Sequence, residues 1–344
     1  MRLYSRREAL KLLGCSVPWN ILLPVPVWTG DSGMLTDIPV RGIYLPGWKG
    51  VNQSRVQRIF EFLLANKLNT LMIDVKNALG ELFYQPESEL ALQIGAQVTT
   101  IEGQKRSLDL GDLVHEAQKH NIRLIARHTM FVDKALYKGV PEFKLAIGHG
   151  QYWVDMKNDA VVDYNLELLS QEMSLGFDEI VLDYIRFPDL PGFGKENDRC
   201  DRIDSVVKSS KEVLEGANVQ LGLQVFGYSA WSHYKSNVGQ RIETLQNYAD
   251  TIYPMLYPSH FNRGTLGFAD PEKHPYEIIS AGYREAFVKI STDCRIIPMI
   301  QGFSYSPEEI TSQINAVKKE KMPGFISWNP SGNHRKLALA MEVL

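Results

Sequence analysis

Two apolar runs in this chain each carry at least one carboxylate and a cation: Leu71-Met72-Ile73-Asp74-Val75-Lys76, and Glu179-Ile180-Val181-Leu182-Asp183-Tyr184-Ile185-Arg186. Neighbours in an extended strand alternate between faces. Ile73 and Val75 therefore share one face, and Asp74 and Lys76 the other. Glu179 and Asp183 share a face but stand about 13 Å apart along the strand, so Glu179 opens the run and Asp183 ends it. Other runs end in Arg127 and His128, in Gln224, Phe226 and Tyr228, in Tyr253, Met255 and Tyr257 followed by His260, in Gln301, and in Trp328 and Asn329. Glycosidic hydrolysis usually takes two carboxyl groups. One stabilises or attacks the cation-like sugar carbon, and one protonates the leaving oxygen. Asp183 fits the first role if Arg186, Arg127 or Lys76 keeps it ionised. Asp74, Glu81 and Asp155 compete for the second, and the plain alternative for each is an ion pair that holds the scaffold. The expected catalytic pair is Asp183 with Asp74. The expected sugar contacts are Lys76, Arg127, Asp155, Arg186, Gln224, Tyr257, His260, Gln301, Trp328 and Asn329. Aromatic faces stack on sugar rings while amides and carboxylates bind hydroxyls, so this set suits a carbohydrate better than a phosphorylated ligand.

Something must bring these ends together. Eight strand-like runs recur: Val40–Trp48, Thr70–Lys76, Arg123–Met130, Glu179–Arg186, Leu221–Tyr228, Thr251–Tyr257, Ile296–Phe303 and Gly324–Trp328. Helical patterns lie between most of them, at Ser54–Asn66, Leu110–His120, Val162–Leu175, Ser205–Leu214, Gln240–Tyr248, Tyr276–Val288 and Pro307–Lys319. Arg335–Leu344 closes the series. Strands alternating with helices imply parallel pairing through right-handed crossovers. Eight such units predict a (β/α)8 TIM barrel over residues 37–344, whose strand ends converge on one mouth. An open doubly wound sheet is the rival, but no G-x-G-x-x-G or Walker loop follows any run. Two connections are longer than a barrel needs. Asn77–Asp109, with Leu82-Phe83-Tyr84 and Gln97–Ile101, reads as a β-hairpin insertion after the second strand. Val132–Asp159 is a long loop after the third.

The composition narrows the class further. The 344 residues are 44% hydrophobic and 22% charged, which excludes disorder or coiled coil as the main architecture. A net charge of -3 implies no general attraction to nucleic acid or to anionic membranes. Three Cys cannot form a disulfide scaffold, and Cys200 and Cys294 read as small buried hydrophobes. No cofactor or metal is expected, because H-x-H, H-E-x-x-H and C-x-x-C pairs are missing. Neither Ser229 nor Ser304 sits in a G-x-S-x-G elbow. At the N-terminus, Ser5-Arg6-Arg7-Glu8-Ala9-Leu10-Lys11 precedes an apolar stretch broken by Pro18, Pro24 and Pro26, too short to span a membrane. Residues 1–30 therefore read as a twin-arginine-like export signal, with Cys15 as a weaker lipid-anchor candidate and a periplasmic or extracellular destination. Its removal would leave 33 basic and 39 acidic side chains, a net charge of -6.

Four segments carry a resemblance. Asn69–Lys76, Ile125-Ala126-Arg127, Gly176–Pro188 and Pro254–His260 resemble the bacterial putative glycosyl hydrolase family, long catalogued as a domain of unknown function. The likeness runs from about Val40 to Asn329. It implies a carbohydrate-active barrel related to the α-amylase and polygalactosaminidase barrels, with Asp183 at the strand-four nucleophile position. Two departures fall at the mouth. The family's strand five reads Asp-Val-Phe-Gly where this chain has Gln224-Val225-Phe226-Gly227. Its strand-seven Arg-Pro-Trp-Leu-Gln is replaced by Ile297-Pro298-Met299-Ile300-Gln301. An amide cannot donate a catalytic proton, so a non-catalytic polysaccharide-binding barrel stands beside an exported hydrolase of bacterial or environmental polysaccharide.

Overall fold

Parallel strands run from Val40 to Trp328 in a computed structural model that describes residues 40–343, apart from 99, 102, 103, 106, 146, 148, 149 and 232–236. The export segment lies outside the described residues. In chain order the strands are β1 (Val40–Leu45), β2 (Thr70–Lys76), β3 (Thr100–Ile101), β4 (Gln104–Lys105), β5 (Arg123–Thr129), β6 (Glu179–Asp183), β7 (Gln220–Val225), β8 (Thr251–Pro254), β9 (Arg295–Ile296), β10 (Met299–Gln301) and β11 (Gly324–Trp328). Nine of them form one parallel sheet in the order β10-β11-β1-β2-β5-β6-β7-β8-β9. β9 and β10 are two halves of one stave, the predicted Ile296–Phe303 run. Pro298 has no N–H to continue the ladder. The Met255–Met299 bridge joins the stave's upper half back to the eighth strand's extension and closes the ring. The result is the predicted (β/α)8 barrel.

Both faces of these strands are covered, and all seven residues of β2 are buried, as in other parallel sheets with helices outside. Met72, Ile125, Val181, Tyr253 and Met299 fill the lumen, whereas Ile73, Leu124, Ala126, Ile180 and Leu182 pack outward against the helices. The next inward positions above Met72, Ile125 and Val181 are Asp74, Arg127 and Asp183. Period-two alternation therefore delivers three charged side chains to the upper lumen. Glu179 sits at the bottom, where it accepts hydrogen bonds from Arg123 Nη2 at 2.7 Å and from Tyr253 Oη at 2.9 Å.

Helices Gln53–Ala65, Leu110–His120 and Asp159–Glu172 start at Asn52, Asp109 and Asn158, whose side chains accept backbone N–H groups of the first turn. Ser306 and Glu309 form a capping box before Pro307–Lys319. Two helices differ from expectation. The predicted Ser205–Leu214 helix begins earlier, at Glu196, because its charged first half masks the apolar stripe. The predicted Gln240–Tyr248 helix shrinks to the single turn Ile242–Leu245, entered from an extended Arg241. The insertion after β2 also differs in detail. Its antiparallel ribbon pairs β3 with β4, while Leu82 bridges Lys76 in antiparallel and Gln97 in parallel fashion. Leu82–Tyr84 is thus not the partner arm of a simple hairpin. Cys200 and Cys294 are free and buried.

Candidate active site

Arg127 rises from β5 into the centre of the barrel mouth. Its Nε and Nη2 donate to Asp183 Oδ2 at 3.0 and 2.5 Å, and its Nη1 donates to Asp74 Oδ1 at 2.6 Å. Nε also reaches Gln224 Oε1 at 3.0 Å. One rigid guanidinium fork on β5 thereby holds two carboxylates and an amide from three other strands. Burial alone would lower the Arg127 pKa, but Asp183 and Asp74 hold it well above its ordinary value. Tyr44 Oη donates to the second Asp74 oxygen at 2.8 Å. Its ring stacks on Trp328 with centroids 3.7 Å apart, and both rings lie beside the guanidinium. Burial pushes the Asp74 pKa up, and the neighbouring Arg127 opposes that shift.

β6 ends sharply at Asp183. Tyr184 adopts the left-handed conformation at φ 51°, which costs a non-glycine residue about 1 kcal/mol or more. Its N–H turns back to Asp183 Oδ1 at 2.6 Å. Asp183 thus receives donors on both oxygens and still lines an open pocket of about 210 Å³. Around that pocket stand Arg127, Tyr184, Arg186, Tyr257, His260 and Trp328, with Phe226, Gly227, Tyr228, Met255 and Phe261 completing the wall. Arg186 lies over the rings of Trp153, Tyr184 and Phe226 at 5.0, 5.3 and 5.3 Å. The long loop after β5 therefore reaches the mouth through Trp153. His260, at the outer rim, has its pKa lowered by partial desolvation. Burial first, and Asp183 second, raise the hydroxyl pKa values of Tyr257 and Tyr184.

Of the expected site residues, Asp183, Arg127, Arg186, Tyr257, His260 and Trp328 converge on this pocket. Asp74 and Gln224 lie one layer deeper, in contact with Arg127 but outside the pocket wall; Gln224 Nε2 faces Met299 Sδ at 2.8 Å. Four other expected residues lie apart from this pocket. Lys76 is not in the lumen: the pairing with β5 shifts register between Asp74 and Lys76, and this bulge turns Lys76 into the helix layer. There it meets Asp133 at 2.9 Å, the Thr129 carbonyl at 2.6 Å and Asn165 Oδ1 at 3.1 Å, beside the His128–Glu172 pair. Asp155 stays in its own loop and accepts the Lys157 N–H at 2.9 Å. Gln301 accepts from Ser259 N and Oγ, so it braces the His260 loop from behind. Asn329 ties the Gly302 and Asn333 carbonyls together. Glu81 likewise bonds locally, to Asn77. Tyr44 joins the site without being among the expected residues, although its place on β1, level with Met72, puts an aromatic ring inside the barrel. Among the described residues no three His, Cys, Asp or Glu side chains gather as a metal site would need.

The chain thus presents a closed parallel barrel whose mouth combines carboxylates, a shared guanidinium and an aromatic wall. Residues 42–334 match the family described as "Putative glycosyl hydrolase domain", and the chain belongs to that family. Solved structures share the barrel. The glycoside hydrolase domain of PgaB (BpsB) from Bordetella bronchiseptica aligns with a TM-score of 0.65 at 9% identity, over 88% of this chain and 98% of that one. An endo-1,4-β-mannanase from Rhizomucor miehei aligns with a TM-score of 0.61 at 12% identity, over 89% and 93%. The spore cortex-lytic enzyme SleL of Bacillus megaterium aligns at 0.53 and 12%, over 88% and 73%. At these identities the likeness is one of fold. No curated protein matches the chain. Family and fold make this a glycoside-hydrolase-type barrel.

Proposed function

We propose that the protein is an exported glycoside hydrolase that cleaves a polysaccharide, with Asp183 as the carboxylate that meets the reacting sugar carbon. One observation carries this reading. Among the described residues Asp183 is the sole carboxylate lining the pocket, and Arg127 bonds it through two nitrogens. A carboxylate so held is placed to stabilise or attack a developing oxocarbenium ion. Trp328, Tyr257, Tyr228 and Phe226 offer faces for sugar rings, and the pocket's size suits a single ring better than a long buried chain. Asp74 and Tyr44 grip Arg127 from below, so we assign Asp74 to positioning. In this role it fixes the guanidinium that in turn fixes Asp183. The test compares the purified protein with Asp183→Asn on a panel of bacterial polysaccharides, scoring new reducing ends. Release by the wild type and none by the variant is expected. Equal release by both would remove Asp183 from the chemistry, and binding without release by either would favour a saccharide-binding barrel.

The export part of the proposal rests on Arg6 and Arg7 ahead of an apolar stretch. Among the described residues no helix is long and apolar enough to cross a membrane. A double Arg6→Lys, Arg7→Lys change should retain the protein in the cytoplasmic fraction. Unchanged fractionation would sink the twin-arginine route.

A further inference from the structure

A second concavity, roomier than the candidate active site, lies apart from it. A cavity of about 560 Å³ opens on the barrel's flank, between the loop after β1, the helix Gln53–Ala65 and the turn before the last helix, Arg335–Glu342. We infer that it is a second binding site, for an acidic saccharide unit: an anionic group carried on a hydroxylated ring.

Charge is the first observation. Lys49, Arg55, Arg58 and Arg335 line the cavity and no carboxylate does. Among the described residues none of the four forms an ion pair. Arg55 and Arg58 are three residues apart on one helix, a spacing at which like charges repel. Four cations facing one concavity are an electrostatic cost that an anion would relieve.

His334 is the second, independent observation. It lines the same cavity and is 4% exposed. Its Nε2 donates to the Tyr44 carbonyl at 2.8 Å, so Nε2 carries the proton of the neutral ring. Nδ1 is then a buried acceptor, and it has no partner. Burial holds the ring neutral, with the pKa lowered to about 4. A buried acceptor without a donor carries a desolvation cost. A bare inorganic anion would satisfy the cations but offers His334 little. A sugar acid supplies both the anion and a hydroxyl donor. Trp48, 38% exposed at the rim, adds an indole face for the ring, with Lys49 Nζ 4.4 Å from its centroid. The inference rests on this cavity alone and does not depend on whether Asp183 cleaves anything.

The test is calorimetric titration of the full chain carrying Asp183→Asn, so that nothing is hydrolysed, with three probes: trigalacturonic acid, glucose 6-phosphate and neutral maltotriose. Saturable binding of either acidic probe is expected, and which of the two binds distinguishes a uronate from a phosphate-bearing sugar. Adding Arg58→Gln and Arg335→Gln, both exposed positions, should weaken that binding about tenfold or more. Raising the salt should weaken it too. The wild-type protein should bind with the same affinity at this site, which separates it from the Asp183 pocket. A separate Trp48→Ala change should weaken the saccharide without altering thermal stability. Failure of both acidic probes to bind, or equal affinity in the double-arginine variant, would overturn the inference. So would maltotriose binding as tightly as trigalacturonic acid.

Discussion

Arg127 is a single cation between two buried carboxylates, and that imbalance governs what each neighbour can do. Asp183 takes two of its nitrogens and Asp74 a third, while Gln224 adds an acceptor without adding charge. A carboxylate at 224 would put three acids on one guanidinium, and the amide there avoids that third charge. The same geometry separates two roles for Asp74. Donors on both of its oxygens suit a positioning residue, whereas the upward push of burial on its pKa suits a proton donor. Asp74→Asn decides between them, since it keeps an oxygen for Arg127 but removes the acid. We expect kcat/KM to fall about 10²-fold, alike on polysaccharide and on nitrophenyl glycosides. If the nitrophenyl substrate were spared, its phenolate leaving without a proton, Asp74 would instead be the general acid.

At the scale of strands and loops, the mouth is built by alternation and broken by bulges. Met72 and Asp74, Ile125 and Arg127, Val181 and Asp183 all follow period two, so the barrel and the charged cluster at its top were legible from residue spacing. Lys76 was not. A register shift after Asp74 sends it to the opposite layer, and no residue type announces a bulge. Gln301, Asn329 and Asp155 look like ligands on composition but are taken up by backbone groups of their own or neighbouring loops, a demand visible only once the loops are folded. The Tyr184 turn was equally hidden, because left-handed backbone is rarely read from tyrosine. Gly227 was quoted in a motif, and its reason is now physical. A Cβ there would stand 2.3 Å from the Met255 carbonyl and 2.8 Å from the Phe261 ring. Gly227→Ala must move the loop after β8 that carries part of the pocket wall. We expect a loss of about 1–3 kcal/mol by denaturant unfolding and weaker saccharide binding. A fully stable variant with unchanged affinity would show that the loop yields freely.

Across the whole molecule the barrel carries ionic networks at both ends, and a histidine fastens its seam. Arg123, Glu179 and Tyr253 tie the bottom, the end of a barrel that serves stability, and Arg127 with its partners ties the top, where barrels place chemistry. The first strand and the last helix of the barrel are joined where His334, just before that helix, donates to the Tyr44 carbonyl of β1, 290 positions away in sequence. That contact is pH-sensitive in a defined direction. In the unfolded chain His334 takes up a proton near its ordinary value of 6.5, whereas in the folded barrel burial delays uptake until about pH 4. Between those values the unfolded state binds more protons, so stability falls as the pH drops from 6.5 towards 4. Above 6.5 the contribution is fully present. The full loss is about 3 kcal/mol, at 1.36 kcal/mol per unit of pKa shift. His334→Gln keeps a donor for Tyr44 but cannot titrate. Urea unfolding of both proteins at several pH values should give a difference curve that closes through this window as the wild type loses its advantage. Asp74, whose pKa is raised, acts with the opposite sign, but it is present in both proteins and cancels. Parallel curves for wild type and variant from pH 7 to 4 would mean that His334 does not stay neutral in the folded barrel, and that the seam is held without it.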